Sequence, residues 1–191
     1  MFRSISVIAF LVIMLVMVVH FVAFRKKTIA TSTPARKPLN KWLKLICSLI
    51  FLALILSFIT LAGTGFYAAV CLDRPLTGYP LMLHCTAAPV FMITLALAAM
   101  ISVHSFRFEK GDFSGLKRVG PGSKIFFWLA ILAAPAVILS IILSMLPIFG
   151  THGQEFLYHA HRYSTLIITT AGMLLIYLRI TSVKAKYTVS D

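Results

Sequence analysis

Long apolar runs, separated by short polar segments, dominate this sequence. Five runs approach or exceed the roughly 18 apolar residues that a membrane-spanning helix needs. They cover residues 5–24, 45–70, 80–104, 125–149 and 156–178. Each run gives roughly 30 Å of helix at about 1.5 Å per residue, which matches the hydrocarbon thickness of a bilayer. The pattern predicts an all-α integral membrane protein with five transmembrane helices.

Polar and proline- or glycine-containing segments divide the chain. We predict an N-terminal transmembrane anchor helix over 1–24, a basic inner linker over 25–44, a four-helix bundle over 45–180 and an inner tail over 181–191. The first span lacks a small-residue cleavage site and is followed directly by basic residues, so it is interpreted as a retained anchor rather than a signal peptide. Within the bundle, residues 105–124 form an inner loop, and residues 71–79 and 150–155 form short outer loops.

The placement of charge orients these spans. The chain is 60% hydrophobic and carries a net charge of +13. Fifteen of its 18 lysines and arginines lie after spans one, three or five, and only Arg3, Arg74 and Arg162 lie on the other side. The positive-inside rule therefore predicts the N-terminus outside and the C-terminus inside. A basic inner face attracts anionic lipid, so the charge requires no nucleic-acid partner.

Two intramembrane histidines carry the main chemical hypothesis. His84 lies about four residues into span three and His161 about five residues into span five, and both spans run from outside to inside. Both imidazoles are thus expected roughly 6–9 Å below the outer surface. Histidines at matched depth on different helices are what a bis-histidine haem b requires. The alternatives are polar helix-packing residues or a zinc site, which would normally need four ligands.

Small residues accompany both histidines, as a macrocycle between helices requires. Ala87 and Ala88 share the face of His84. Ser164, Thr165 and Gly172 share the face of His161, and the outer end of span two contains Gly63–Gly65. Arg74 and Arg162 are candidate partners for the haem propionates.

Three further histidines leave alternatives open. His159 lies about 200° around the helix from His161, so only one of them faces a given haem; we favour His161, with His159 as the alternative ligand. His20 and His104, near the inner ends of spans one and three, are candidate ligands of a second haem. Their bulky phenylalanine neighbours and the flexible linker after span one favour one haem b per chain, with two as the alternative.

The three cysteines contain no CxxC or CxxCH pattern, which gives no sign of an iron–sulfur cluster or of covalently attached haem. Cys71 and Cys85 lie toward the outer side and could pair. The alternative, which we favour, is that all three act as small hydrophobic residues.

The segments "LTGYPLMLHCTAAPVF" and "SMLPIFGTHGQEFLYHAHRYSTLIITTAGMLLIY" cover spans three to five. They resemble the small b-type membrane cytochromes, such as the cytochrome b anchor subunits of formate dehydrogenases and nickel–iron hydrogenases. The resemblance implies haem b, electron exchange with a membrane quinone, a cytochrome b-like bundle and a role within a larger redox complex. Span two lacks the histidine that two-haem members often carry.

We therefore expect an electron-transfer subunit in a bacterial cytoplasmic membrane, with a multihaem cytochrome c or an iron–sulfur protein as its partner on the outer side. A candidate quinone and proton site lies near the last outer loop: His152, Glu155, Tyr158 and His159. The alternative class is a cofactor-free scaffold or assembly subunit, or a small transporter. All five carboxylates lie in loops or at the ends of spans, which argues against ion-coupled transport.

Overall fold

The computed structural model describes residues 1–24, 40–72, 74–108, 121–146 and 148–187. All regular structure in these ranges is helical. There are five α-helices: α1 Phe2–Phe24, α2 Lys41–Phe66, α3 Gly78–Ser102, α4 Pro121–Ser144 and α5 Thr151–Tyr187. A π-helical turn, Tyr67–Leu72, extends α2, and a 3-10 turn, Val103–Phe106, extends α3.

Helices α1 to α4 are each long and apolar enough to cross a membrane. This confirms the all-helical prediction and indicates a multi-pass membrane protein. Helix α5 is not one of these four membrane-spanning candidates when only the described residues are considered. Its 37 residues extend over about 55 Å, well beyond a hydrocarbon core of roughly 30 Å. The fifth span therefore stays a prediction.

Several element boundaries differ from those predicted, and hydrogen bonds describe two of them. Residues 151–155 form the first turns of α5 and not a loop, because Gln154 N donates to Gly150 O at 3.0 Å and starts the helical ladder. Helix α2 begins at Lys41, inside the predicted linker, and the Asn40 side chain accepts from Trp42 N. Residues 25–39 of the predicted linker and 109–120 of the predicted inner loop lie outside the described residues.

The first compact unit contains α1, α4 and α5, so it includes the predicted anchor helix. Helices α4 and α5 are antiparallel neighbours, and α1 runs parallel to α5. The parallel direction follows from two contacts: Phe2 packs edge-on against Tyr163 at 5.4 Å, and His20 meets Tyr177 further along both helices. Small buried side chains let helix backbones approach closely in lipid, where packing and not the hydrophobic effect drives association. In α4 and α5 these are Ala130, Ala133, Ala134, Ser140, Ser164, Thr169 and Ala171.

An aromatic cluster fixes the start of α4 in the same unit. The rings of Phe106 and Phe127 stack at 4.2 Å, and Trp128 Nε1 donates to Phe106 O at 3.1 Å. Lys124 is buried beside them and donates to Arg107 O at 2.6 Å. Lys124 therefore binds a backbone carbonyl and does not contribute to an exposed basic surface.

The second compact unit is the antiparallel pair of α2 and α3. Phe58 packs against Phe91 with ring centroids 6.2 Å apart, and Thr64 contacts His84 nearer the connection between the helices. Pro89 lies inside α3 and has no N–H to donate to Cys85 O. Such breaks are tolerated in membrane helices because neighbouring groups can satisfy the backbone.

Candidate functional site

His84 is a half-buried residue in the second turn of α3. Its Nδ1 lies 2.8 Å from Thr64 Oγ1, near the end of α2. Next to Thr64, a Cβ built on Gly65 would lie 3.5 Å from His84 Cε1, which is ordinary van der Waals contact. The antiparallel packing of α2 and α3 brings Gly63–Gly65 to the level of this imidazole, as predicted from their depth in the sequence.

His161 is the candidate ligand in the other compact unit and lies in the third turn of α5. It is half-buried in α5, and its Nδ1 lies 3.3 Å from both Ser140 Oγ and Val137 O of α4. Ser140 is buried and donates its own hydroxyl proton to Val137 O at 2.9 Å. The Nδ1 of His161 is therefore directed toward α4, where it contacts one backbone carbonyl and one hydroxyl.

His159 lies on a different side of α5. It is exposed, with its Nε2 3.9 Å from Glu155 Oε1 and its ring stacked on Tyr163 at 6.3 Å. The two histidines thus have separate surroundings, as expected from their spacing of about 200° around the helix.

The residues of the candidate quinone and proton site lie in the first turns of α5. Glu155, Tyr158 and His159 share one exposed helix face, and Tyr158 and His159 are in edge-on contact at 5.7 Å. His152 is exposed one turn earlier. A carboxylate, a phenol and an imidazole on one accessible face can accept and pass on protons.

The two arginines that are expected near haem propionates have different surroundings from each other. Arg162 lies 4.2 Å above the Phe2 ring and 5.0 Å from the Tyr158 ring, and it donates to Tyr158 OH at 3.0 Å. Its planar guanidinium thus contacts two aromatic rings. Arg74 is exposed in the connection between α2 and α3.

The candidate ligands of a second haem lie in different compact units. His20 of α1 makes a 3.1 Å contact from Nδ1 to Tyr177 OH, and this hydroxyl donates to Met17 O at 2.9 Å. His104 is exposed on the 3-10 turn after α3. His20 thus takes part in the packing of α1 against α5.

Each of the two histidines, taken by itself, has the donor chemistry that a haem ligand needs. His84 and His161 each direct Nδ1 toward a neighbouring helix, which is the usual arrangement of a histidine that ligates a metal through its other nitrogen. One turn after His161, Thr165 Oγ1 is buried without a hydrogen-bond partner. Among the described residues no group of three or more His, Cys, Asp or Glu side chains could hold a metal ion. A bis-histidine site needs only two.

The cysteines are free thiols in the structure. Because Thr64 lies level with His84 in this antiparallel pair, Cys85 is about eight residues, or roughly 12 Å, along the helix axis from the level of Cys71. A disulfide requires Cα atoms within about 7 Å. The Cys71–Cys85 pair is therefore not bridged.

The sequence did not single out the hydroxyl partners of the histidines or an apolar groove in the α2–α3 unit. This open groove of about 650 Å³ is lined by Gly63, Thr64, Tyr67, Tyr79, Pro80, Met82, Leu83 and Thr86. One sequence signal could have identified Thr64 and Ser140 as candidate partners. Each is a hydroxyl residue at the same depth as a histidine on the next, antiparallel helix.

Comparisons with protein families, with curated proteins and with solved structures found no match. The resemblance to b-type cytochromes therefore rests on the two quoted segments and stays a prediction.

Proposed function

We propose that this protein is a haem b-containing membrane subunit of a redox complex. It transfers electrons between a membrane quinone pool and a partner redox protein on the outer side of a bacterial cytoplasmic membrane. The chain crosses the membrane five times, with its N-terminus outside and its C-terminus inside. The partner is a multihaem cytochrome c or an iron–sulfur protein.

One observation carries this proposal: each compact unit holds a half-buried histidine whose Nδ1 meets a hydroxyl of the neighbouring helix. His84 does so with Thr64 and His161 with Ser140. Ligating histidines generally use one ring nitrogen for such a partner and the other for the metal. His84 and His161 would hold the iron of one haem b, which supplies one-electron redox chemistry when bound.

Other residues of the chain have supporting roles in this proposal. Arg162, which contacts the rings of Phe2 and Tyr158, and Arg74 would bind propionates. The exposed face formed by Glu155, Tyr158 and His159, together with His152, would accept the protons that a quinol loses and release them on the outer side.

The helix directions support five alternating spans. Helix α5 is antiparallel to α4 and parallel to α1, as first, fourth and fifth spans of an alternating chain must be. The 15-to-3 distribution of basic residues supports the proposed sides.

A cofactor-free scaffold or assembly subunit is the second candidate, and the same contacts favour it. Hydrogen bonds between histidines and hydroxyls also hold membrane helices together without any metal. The observation that separates the two functions is therefore the presence of haem.

A reduced-minus-oxidised visible spectrum of the purified full-length protein tests the proposal. We expect a low-spin haem b signal that disappears in His84→Ala and in His161→Ala. His159→Ala, two residues away on the same helix, is the matched control and should keep the signal.

Two results would overturn parts of this account. A wild-type protein without any haem signal would favour the scaffold. A signal that survives in His161→Ala and disappears in His159→Ala would move the ligand to position 159.

A further inference from the structure

The hydroxyl of Thr64 donates its proton in a hydrogen bond within α2. Thr64 Oγ1 lies 2.7 Å from Thr60 O and 2.8 Å from His84 Nδ1. Two oxygens at 2.7 Å repel each other unless a proton lies between them, and a carbonyl has none to give. Thr64 therefore donates to Thr60 O and offers a lone pair to His84. The proton between Thr64 and His84 must belong to Nδ1.

His161 reaches the same state by a different route. Its Nδ1 lies 3.3 Å from Val137 O, which can only accept, and 3.3 Å from Ser140 Oγ, whose proton is directed to Val137 O. An unprotonated Nδ1 would face two acceptor oxygens there. The proton of the neutral imidazole therefore lies on Nδ1 in this histidine too.

We propose that Thr64 and the Val137–Ser140 turn are positioning groups that fix His84 and His161 as the Nδ1–H tautomer. A neutral imidazole carries one ring proton, so in the neutral form of either residue the lone pair is on Nε2, the form needed to bind a metal. The assignment of tautomer rests on hydrogen bonding alone. Its purpose, binding of iron, rests on the proposed function.

The two histidines differ in what holds this tautomer. The contact of His84 with α2 depends on a side-chain hydroxyl, which a substitution can remove. His161 has a backbone carbonyl, Val137 O, which remains whatever residue occupies position 140. Removal of the Thr64 hydroxyl should therefore change the tautomer of His84 much more than removal of the Ser140 hydroxyl changes that of His161.

Nitrogen-15 NMR of histidine-labelled, full-length protein reads the tautomer directly. The chain is made in a haem-deficient host without added haem, and the six histidine signals are assigned by single substitutions. In the wild type we expect His84 and His161 in the Nδ1–H form. In Thr64→Val, the tautomer ratio of His84 should fall by about fivefold, which corresponds to the loss of one ordinary hydrogen bond.

Two variants serve as controls. Thr64→Ser keeps the hydroxyl and should restore the wild-type ratio, whereas Ser140→Ala should leave His161 as Nδ1–H. Wild-type His84 or His161 in the Nε2–H form would overturn the proposal, even if Thr64→Val failed to fold. An unchanged His84 signal in folded Thr64→Val would also overturn it.

A second readout uses protein that has bound haem. A hydrogen bond from Nδ1–H makes the imidazole a stronger donor to iron and favours the oxidised state. Thr64→Val should therefore raise the midpoint potential, and Thr64→Ser should return it to the wild-type value. If the tautomers are as predicted but no haem binds, the proposed function is wrong and the tautomer assignment stands. If haem binds but Thr64→Val has the same midpoint potential as the wild type and Thr64→Ser, the positioning role of Thr64 is wrong.

Discussion

Ser6 in α1 is fully enclosed, and its hydroxyl has no hydrogen-bond partner. An unsatisfied buried polar group typically costs about 1–3 kcal/mol. We expect Ser6→Ala to raise the free energy of unfolding by about 1 kcal/mol, measured by thermal or denaturant unfolding in detergent. Ser57, a buried residue whose hydroxyl donates to Ala53 O, is the matched control, and Ser57→Ala should not stabilise the protein. A loss of stability in Ser6→Ala would show that the hydroxyl has a partner.

At the same scale, the sequence predicted the histidines better than their partners. His84 and His161 were singled out because an imidazole in an apolar run is chemically conspicuous. Thr64 and Ser140 were not singled out as hydrogen-bond partners, because hydroxyl residues are common in membrane helices and usually bond within their own helix. Their depth in the sequence makes them candidates, but the packing of α2 on α3 and of α4 on α5 decides which hydroxyl contacts each histidine.

At the scale of the element, the phenol of Tyr177 makes two hydrogen bonds between α1 and α5. Tyr177 OH accepts from His20 Nδ1 and donates to Met17 O, so Tyr177→Phe removes two hydrogen bonds between the helices. Such bonds contribute about 0.6 kcal/mol each on average in a membrane protein. We expect Tyr177→Phe to lower the free energy of unfolding by about 1 kcal/mol and to speed amide hydrogen exchange in α1.

Tyr163→Phe is the matched control for that change. Tyr163 packs against Phe2 through its ring, which phenylalanine retains. Equal effects of the two substitutions would contradict a specific role for the Tyr177 hydroxyl in holding α1.

The helices themselves were predictable, but their partners were not. Hydropathy alone located α1 to α4, because a long apolar run has no alternative in lipid to satisfying its backbone as a helix. In a membrane, however, the side of a helix that faces lipid is as apolar as the side that faces protein. The periodicity that reveals the buried face of a soluble helix is then lost. For this reason the grouping of α1 with α5 could not be predicted.

At the scale of the whole molecule, the charge distribution predicts which side each connection faces. In a variant without native cysteines, single cysteines at Lys37 or Lys117 should react with a membrane-impermeant reagent only from the inside. A cysteine at exposed Thr151 should react only from the outside. The opposite labelling pattern would reverse the proposed side of the haem as well.

Thr151 is a better outer position than nearby Gly153. A Cβ added at Gly153 would lie 2.9 Å from Phe149 Cβ, closer than such atoms normally approach. A cysteine there would disturb the start of α5, and a lack of labelling would then have two explanations.

The central claim is that His84 and His161 bind one haem b, and the ratio of haem to protein tests it most directly. A pyridine haemochrome assay against protein concentration should give about one haem per chain, based on one pair of ligands. The ratio should remain near one in His20→Ala and fall to about zero in His84→Ala. A wild-type ratio near zero would contradict the account, and a ratio near two that falls to one in His20→Ala would contradict the single site.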